Sequence, residues 1–234
     1  MQNDISKFQI SPELKKLFDS ADTVKTIKKG ANLFSEGQIA DKLYIIRSGK
    51  IQVGKLSPDG RELALRICNR GDIVGELSLY SEDVKYILNA KAIEDSEVAI
   101  IHKTQLEESL LLNSGLAIEF MKLMNDFFRR DQTRFRDLVL HGKKGALFST
   151  LIRLSNSYGK KQEDDSIYID IALTNQELAN FCGTSRESVN RMLNDLKRND
   201  IISMIKGRII IHDLDYLRTE INCENCPVVL CSIH

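Results

Sequence analysis

The chain of 234 residues has no run approaching the ~20 uninterrupted apolar residues that a membrane-spanning helix needs. Its opening residues, Met1, Gln2, Asn3 and Asp4, lack the basic-then-apolar layout of a secretory signal. Both absences make the cytoplasm the expected location, with no membrane partner. Net charge is also absent, because 33 basic residues balance 33 acidic ones, so no global field draws the chain to nucleic acid. No pair of acid–base carboxylates, nucleotide-binding glycine loop or Ser/His/Asp order stands out, and an enzyme is not expected. No cysteine precedes Cys68.

What is present is unevenly spread. Three of the five cysteines, Cys223, Cys226 and Cys231, form a C-x2-C-x4-C array near the C-terminus. In a reducing compartment an odd, clustered set of thiols fits metal ligation better than a disulfide framework. The spacing leaves two metal readings open, a tetrahedral zinc knuckle completed by His234 and an iron–sulfur cluster. A thiol–disulfide redox protein is the alternative of another class, disfavoured because no βαβ pattern precedes the C-x2-C. Cys68, in a β run, and Cys182, among apolar helical residues, are expected in the core. Charge is uneven too: residues 143–212 carry 11 basic against 8 acidic side chains, whereas 1–115 carry 16 against 17. That mild excess permits nucleic-acid binding without demanding it.

Residues 1–115 form the first expected domain, in which short β-rich runs (43–46, 51–53, 63–67, 73–74 and 98–101) alternate with glycine turns. Such spacing points to a sandwich or a barrel-like roll. From 116 to 142 the period changes. Met121, Met124, Phe128, Phe135 and Leu138 follow a 3,4 alternation, with Asp131 taking one step, and the spacing predicts one long helix. Its apolar seam suits either packing on its own β-domain or a homodimer interface.

Residues 143–217 read as a winged helix-turn-helix, opened by an amphipathic helix over 143–158 and a polar linker over 159–165. Thr174 and Glu177 have capping-box spacing, Gly183 supplies a tight turn, and Ser185 caps a second helix from Arg186 to about Asn199. Runs at 201–205 and 209–211, joined by Lys206, Gly207 and Arg208, make a hairpin wing. The second helix of such a unit enters the major groove of double-stranded DNA. Arg186, Glu187, Ser188, Asn190 and Arg191 lie off its apolar stripe, with Thr174 and Ser185 as further contacts. Arginine can fork guanine and glutamate can accept from cytosine. The competing reading of these residues is a solvated charged face. Residues 218–234 are left as a cysteine-rich tail.

A glycine-punctuated β-roll, a long helix and a C-terminal winged helix, carrying Gly71-Asp72-Ile73-Val74-Gly75-Glu76-Leu77 and Arg186-Glu187-Ser188-Val189-Asn190-Arg191, resemble the CRP/FNR superfamily of bacterial transcription regulators. The resemblance spans nearly the whole chain. It implies an α+β protein with a cyclic-nucleotide-binding-domain-like β-roll, dimerised through the long helix. It also implies that Arg186, Glu187 and Arg191 read TGTGA-like half-sites of a palindromic operator, with RNA polymerase as a further partner.

Cyclic-nucleotide members hold ribose with the glutamate of Gly-Glu-Leu, matched here by Glu76, and phosphate with a downstream arginine pair. Tyr86 and Ile87 stand where that pair belongs, and Lys85 is no substitute for a guanidinium fork, so cyclic-nucleotide control is not expected. The C-terminal cysteines resemble instead the Bacillus-type Fnr branch, in which such a trio holds one [4Fe-4S] cluster per subunit and an aspartate from the dimer-helix region completes the shell. Arg134-Phe135-Arg136-Asp137 matches that region, which implies Asp137 as the fourth ligand. Its replacement by alanine is expected to weaken cluster retention and spare the fold. A cluster joining the tail to Asp137 would tie the reader across the junction at His141, Gly142 and Lys143. The implied function is an oxygen-responsive regulator of anaerobic metabolism whose holo dimer binds DNA and whose cluster-free form binds poorly.

Overall fold

A computed structural model describes residues 11–21, 23–75 and 79–234. Glu76, matched above to the ribose contact, lies outside the described residues. The chain forms two compact units, one of residues 11–60 and 65–126 with His234, the other of residues 61–64 and 127–233.

The first unit begins with α1 (Pro12–Asp19), whose cap Ser11 accepts the Leu14 amide. Eight strands follow: β1 (Thr23–Ile27), β2 (Asn32–Phe34), β3 (Lys42–Ser48), β4 (Ile51–Leu56), β5 (Glu62–Cys68), β6 (Ile73–Val74), β7 (Asn89–Ala92) and β8 (Ser96–His102). They make two four-stranded sheets, β1-β8-β3-β6 and β2-β7-β4-β5, in which β8 pairs antiparallel with β1 and β3, β3 with β6, and β7 with β2 and β4. Leu43, Tyr44, Ile45 and Ile46 of β3 are all buried, which is why the central strands read as continuous apolar runs rather than alternating ones. The five β runs expected from sequence are strands, and Cys68 is in the core. β1, β2 and β7 are additional.

Tyr86 fills the middle of this core. Its ring stacks on Phe34 with centroids 3.9 Å apart, Phe34 stacks in turn on Tyr44 at 5.8 Å, and the Tyr86 hydroxyl donates to the Lys42 carbonyl at 2.8 Å. Burial keeps the phenol protonated, raising its pKa well beyond the usual tyrosine value. Ile87, the next residue, is exposed.

After α2 (Lys103–Leu112), α3 (Ser114–Leu140) runs unbroken for 27 residues. Its exposed large apolar side chains are Ile118, Met121, Phe128, Phe135, Val139 and the terminal Leu140; the first five follow a 3,4 repeat whose two vacant steps are occupied by Asn125 and Gln132. Met124 and Leu138 are half-buried, so the exposed seam is turned from the expected one, and its polar steps are Asn125 and Gln132 rather than Asp131. The physical reason is that Leu116, Phe120 and Leu123 claim the inner face and shift the stripe left over for solvent.

The second unit is built around α4 (Gly142–Tyr158), which is buried on every face from Gly145 to Ser155. The expected amphipathic helix is therefore a central one, and its polar side faces protein instead of water. The expected linker at 159–165 contributes β9 (Gly159–Lys161), which pairs with β10 (Ile167–Ile169). Then come α5 (Asn175–Phe181), α6 (Arg186–Arg198), β11 (Ile202–Ile205), β12 (Arg208–Ile211) and α7 (Leu214–Glu220), with sheet order β11-β12-β10-β9. Lys206 and Gly207 both have positive φ, as a two-residue hairpin turn of the wing requires.

Gly49 sits at φ +83°, and a Cβ there would lie 2.2 Å from Ser96 Oγ and 2.5 Å from the Asp95 carbonyl oxygen. Gly60 has a similar φ, +82°, but nothing within 4 Å. Urea unfolding should find Gly60→Ala about 1 kcal/mol less stable than wild type, and Gly49→Ala worse by a further ~2 kcal/mol because backbone must move.

Candidate metal centre and nucleic-acid interface

The reader is assembled by local chemistry. Thr174 Oγ1 accepts the Glu177 amide at 3.2 Å while the Glu177 carboxylate accepts the Thr174 amide at 2.7 Å, closing the expected capping box. Gly183 turns the chain at φ +58°, and Ser185 Oγ then accepts the Ser188 amide at 3.3 Å. Val189, Leu193 and Leu196 seat α6 in the core. That leaves Arg186, Glu187, Asn190 and Arg191 exposed along one stretch, with Ser188 half-buried and Thr174 and Ser185 exposed at the two caps. Hydrogen bonds hold the Glu187 carboxyl below its ordinary pKa, so it is an acceptor at neutral pH.

One reader contact was not legible beforehand. Asn175 Nδ2 donates to Asn190 Oδ1 at 3.0 Å, fixing the Asn190 amide from the neighbouring helix. Arg208, which flanks the wing turn, stands 3.5 Å from Asp170.

Beyond α7 the tail turns twice through left-handed residues, Asn222 at φ +45° and Asn225 at φ +52°. Asparagine tolerates that region better than most residues, which accounts for an asparagine before Cys223 and another before Cys226. The end of the tail is docked on α4 by hydrogen bonds. Arg153 Nη1 donates to the Leu230 carbonyl at 3.0 Å, Asn156 Nδ2 to the Cys231 carbonyl at 2.7 Å, and the Ile233 amide to Ser157 Oγ at 2.9 Å. Leu230 and Ile233 are buried.

These turns bring Cys223, Cys226 and Cys231 to the wall of a cleft that Asp137 also lines, together with Arg136, His141, Ser149 and Arg153. The four residues implied as ligands are thus neighbours in space. The Nδ1 of His234, the fourth donor of the zinc reading, lies against Asn69 Nδ2. Among the described residues no three His, Cys, Asp or Glu side chains converge as a single ion requires.

Asp137 is only 5% exposed and accepts from three side chains. Ser149 Oγ donates to Oδ2 at 2.6 Å and Arg153 Nη2 at 2.7 Å, while Arg136 donates to Oδ1 through Nε at 3.1 Å and Nη2 at 2.8 Å. Burial pushes the carboxyl pKa up, but the hydrogen bonds from Ser149 and Arg153 and the adjoining positive charge outweigh it and leave the pKa lowered. Arg153 also donates to Ser149 Oγ at 3.2 Å and to Thr133 Oγ1 at 3.2 Å. Burial pushes the Cys231 thiol up, against the pull of Arg153, so a metal taking that sulfur must displace a proton. Three thiols and a carboxylate beside two guanidiniums suit an anionic, thiolate-held cluster. Cys182 is inert by contrast, its thiol pushed up to about 12 by burial.

Residues 24–112 match the cyclic nucleotide-binding domain model and residues 146–220 the Crp-like helix-turn-helix domain model. The chain is 54% identical over 225 residues to the anaerobic regulatory protein of Bacillus subtilis, covering 96% of this chain and 94% of that one. It is 29% identical to a CRP-like cAMP-activated global transcriptional regulator of Mycobacterium tuberculosis, covering 81% and 84%. The solved structure of FixK2 from Bradyrhizobium japonicum has the same fold, with TM-score 0.72 at 18% identity over 84% of this chain and 96% of that one. Identity at the level of the Bacillus protein, over almost the full length of both chains and with both domain models in order, means that this chain belongs to the CRP/FNR family of transcription regulators, which are not enzymes.

Proposed function

We propose that this DNA-binding regulator controls anaerobic metabolism in response to oxygen, as a homodimer that recognises a TGTGA-like palindrome while Cys223, Cys226, Cys231 and Asp137 hold a [4Fe-4S] cluster. The observation that carries the reading is the single cleft gathering those four side chains from distant parts of the sequence. When bound, the cluster would supply an oxygen-labile iron centre with one carboxylate-held corner. The Bacillus relative at 54% identity, named as an anaerobic regulatory protein, supports the same physiology.

Each part of the chain has a role in this reading. Arg186, Glu187 and Arg191 present forked donors and an acceptor to base edges, and Asn175 aims Asn190 alongside them. The exposed seam of α3 joins two copies, so that the recognition helices meet successive major grooves roughly 34 Å apart. The β-roll serves as scaffold without nucleotide control: no arginine stands at the Tyr86-Ile87 position, and Tyr86 packs its ring into the core. RNA polymerase is the further partner that follows from the family.

The bonds at Leu230, Cys231 and Ile233 narrow what cluster loss changes. Those bonds hold the end of the tail on α4, so a cluster in the cleft would act mainly on the rest of it. The difference between holo and cluster-free states then concentrates on the Asn222–Asn225 turns and on the α3–α4 junction at His141, which lines the same cleft. The expectation that Asp137→Ala spares the fold is also revised, since alanine would strand the buried Arg153 guanidinium.

Protein purified without air should be brown, contain iron and sulfide, and retard operator DNA; air should bleach it and abolish the shift. Colourless protein holding one zinc per chain, or DNA binding indifferent to iron, would overturn the proposal. Asp137→Ala should cost about 3–5 kcal/mol in cluster-free protein at neutral pH. Because the native carboxyl pKa is depressed, that advantage of wild type should be full above about pH 4 and disappear as pH falls through the lower native value, which denaturant titrations at several pH values would follow. Arg191→Ala should lose about 1–3 kcal/mol of discrimination between operator and random DNA; equal weakening on both would make it a phosphate contact.

A further inference from the structure

The carboxylate of Asp137 has about four acceptor positions, and four N–H or O–H donors already point at them: two from Arg136 on Oδ1, and one each from Ser149 and Arg153 on Oδ2. A carboxylate so engaged cannot also ligate a metal without releasing a donor. The question is which one yields. Arg153 is 2% exposed and carries the Leu230 and Thr133 contacts as well, so removing it from Oδ2 would strand a charge in the core. Ser149 is also buried and receives Arg153 Nε. The side chain of Arg136 is 28% exposed, so its release costs little. Arg136 also has other partners in reach: its Nη1 is paired with Glu224, and its Nη2 lies 3.8 Å from Cys226 Sγ.

We propose that Arg136 is a removable counter-ion, which caps Asp137 Oδ1 and would withdraw toward Glu224 and Cys226 when that carboxylate is given to iron. Arg153 and Ser149 keep Oδ2 and hold the carboxylate in place throughout. Arg136 thereby competes with iron for one oxygen atom, and Glu224 sets the competition by drawing the guanidinium away. The proposal rests on the cluster reading above and specifies how its carboxylate corner is made labile.

The test uses the full-length dimer, reconstituted anaerobically with ferrous iron and sulfide, and reads the rate at which a ferrous chelator removes iron. Arg136→Ala should slow removal roughly tenfold, the scale of outer-shell effects on metal sites. Glu224→Gln should speed it, and the double variant should match Arg136→Ala, since Glu224 acts only through Arg136. Neither position is an implied ligand, and a merely structural role would not give opposite signs with that epistasis. Faster loss from Arg136→Ala would overturn the proposal, because Arg136 would then support the cluster by donating to Cys226. Unchanged rates, or an effect of Glu224→Gln that survives without Arg136, would overturn it too. Failure of wild-type protein to take up iron and sulfide would overturn the cluster reading and this proposal together, whereas normal uptake with the wrong rate order would overturn this proposal alone.

Discussion

The ion pair between Arg153 and Asp137 is the constraint on which the second unit depends. It joins the last turns of α3 to the middle of α4, and through Leu230 it reaches the tail. A buried pair of this kind contributes little net stability relative to an apolar substitute, but breaking it from one side is expensive. Its value lies in geometry. Ser149 and Arg153 are one helical turn apart on α4, and both close on the same carboxylate oxygen, so the carboxylate has one permitted orientation. Any metal that uses Asp137 inherits that orientation.

The same contact explains why a polar helix face can be buried. Ser149, Thr150, Arg153 and Ser155 would ordinarily mark the solvent side of α4, yet all four lie inside. Thr150 and Ser155 hydroxyls are satisfied by carbonyls of the preceding turn, and Ser149 and Arg153 by Asp137 and the tail. Burial there is made tolerable by hydrogen bonding, not by apolarity.

Much of the reader was legible in the sequence because its signals are local. A threonine and a glutamate three residues apart, a glycine at a forced positive φ, a capping serine and a two-residue wing turn each act within a few residues. The tail cysteines were legible as a group for the same reason. Other features depend on distant partners. β7 carries Ala90 and Ala92, poor strand formers that are nonetheless held in a strand by pairing with β2 on one side and β4 on the other, and are fully buried. Arg153 carries no signature of its role in the sequence, since its acidic partner is sixteen residues back on another element and its further contacts are two hydroxyls and a main-chain carbonyl. Asp137 was placed through family resemblance alone, because an aspartate near a helix end carries no signature of its own.

On α3, Asn125 and Gln132 interrupt an otherwise apolar stripe at two steps one heptad apart. Amides in such a seam disfavour greasy neighbours and favour each other, at some loss of adhesion. Two copies of the helix that slid past one another by a single turn would set these amides against Phe128 or Phe135. In the dimer proposed above, the level alignment sets amide against amide at both steps, which would keep the two halves level and match them to an operator of fixed half-site spacing.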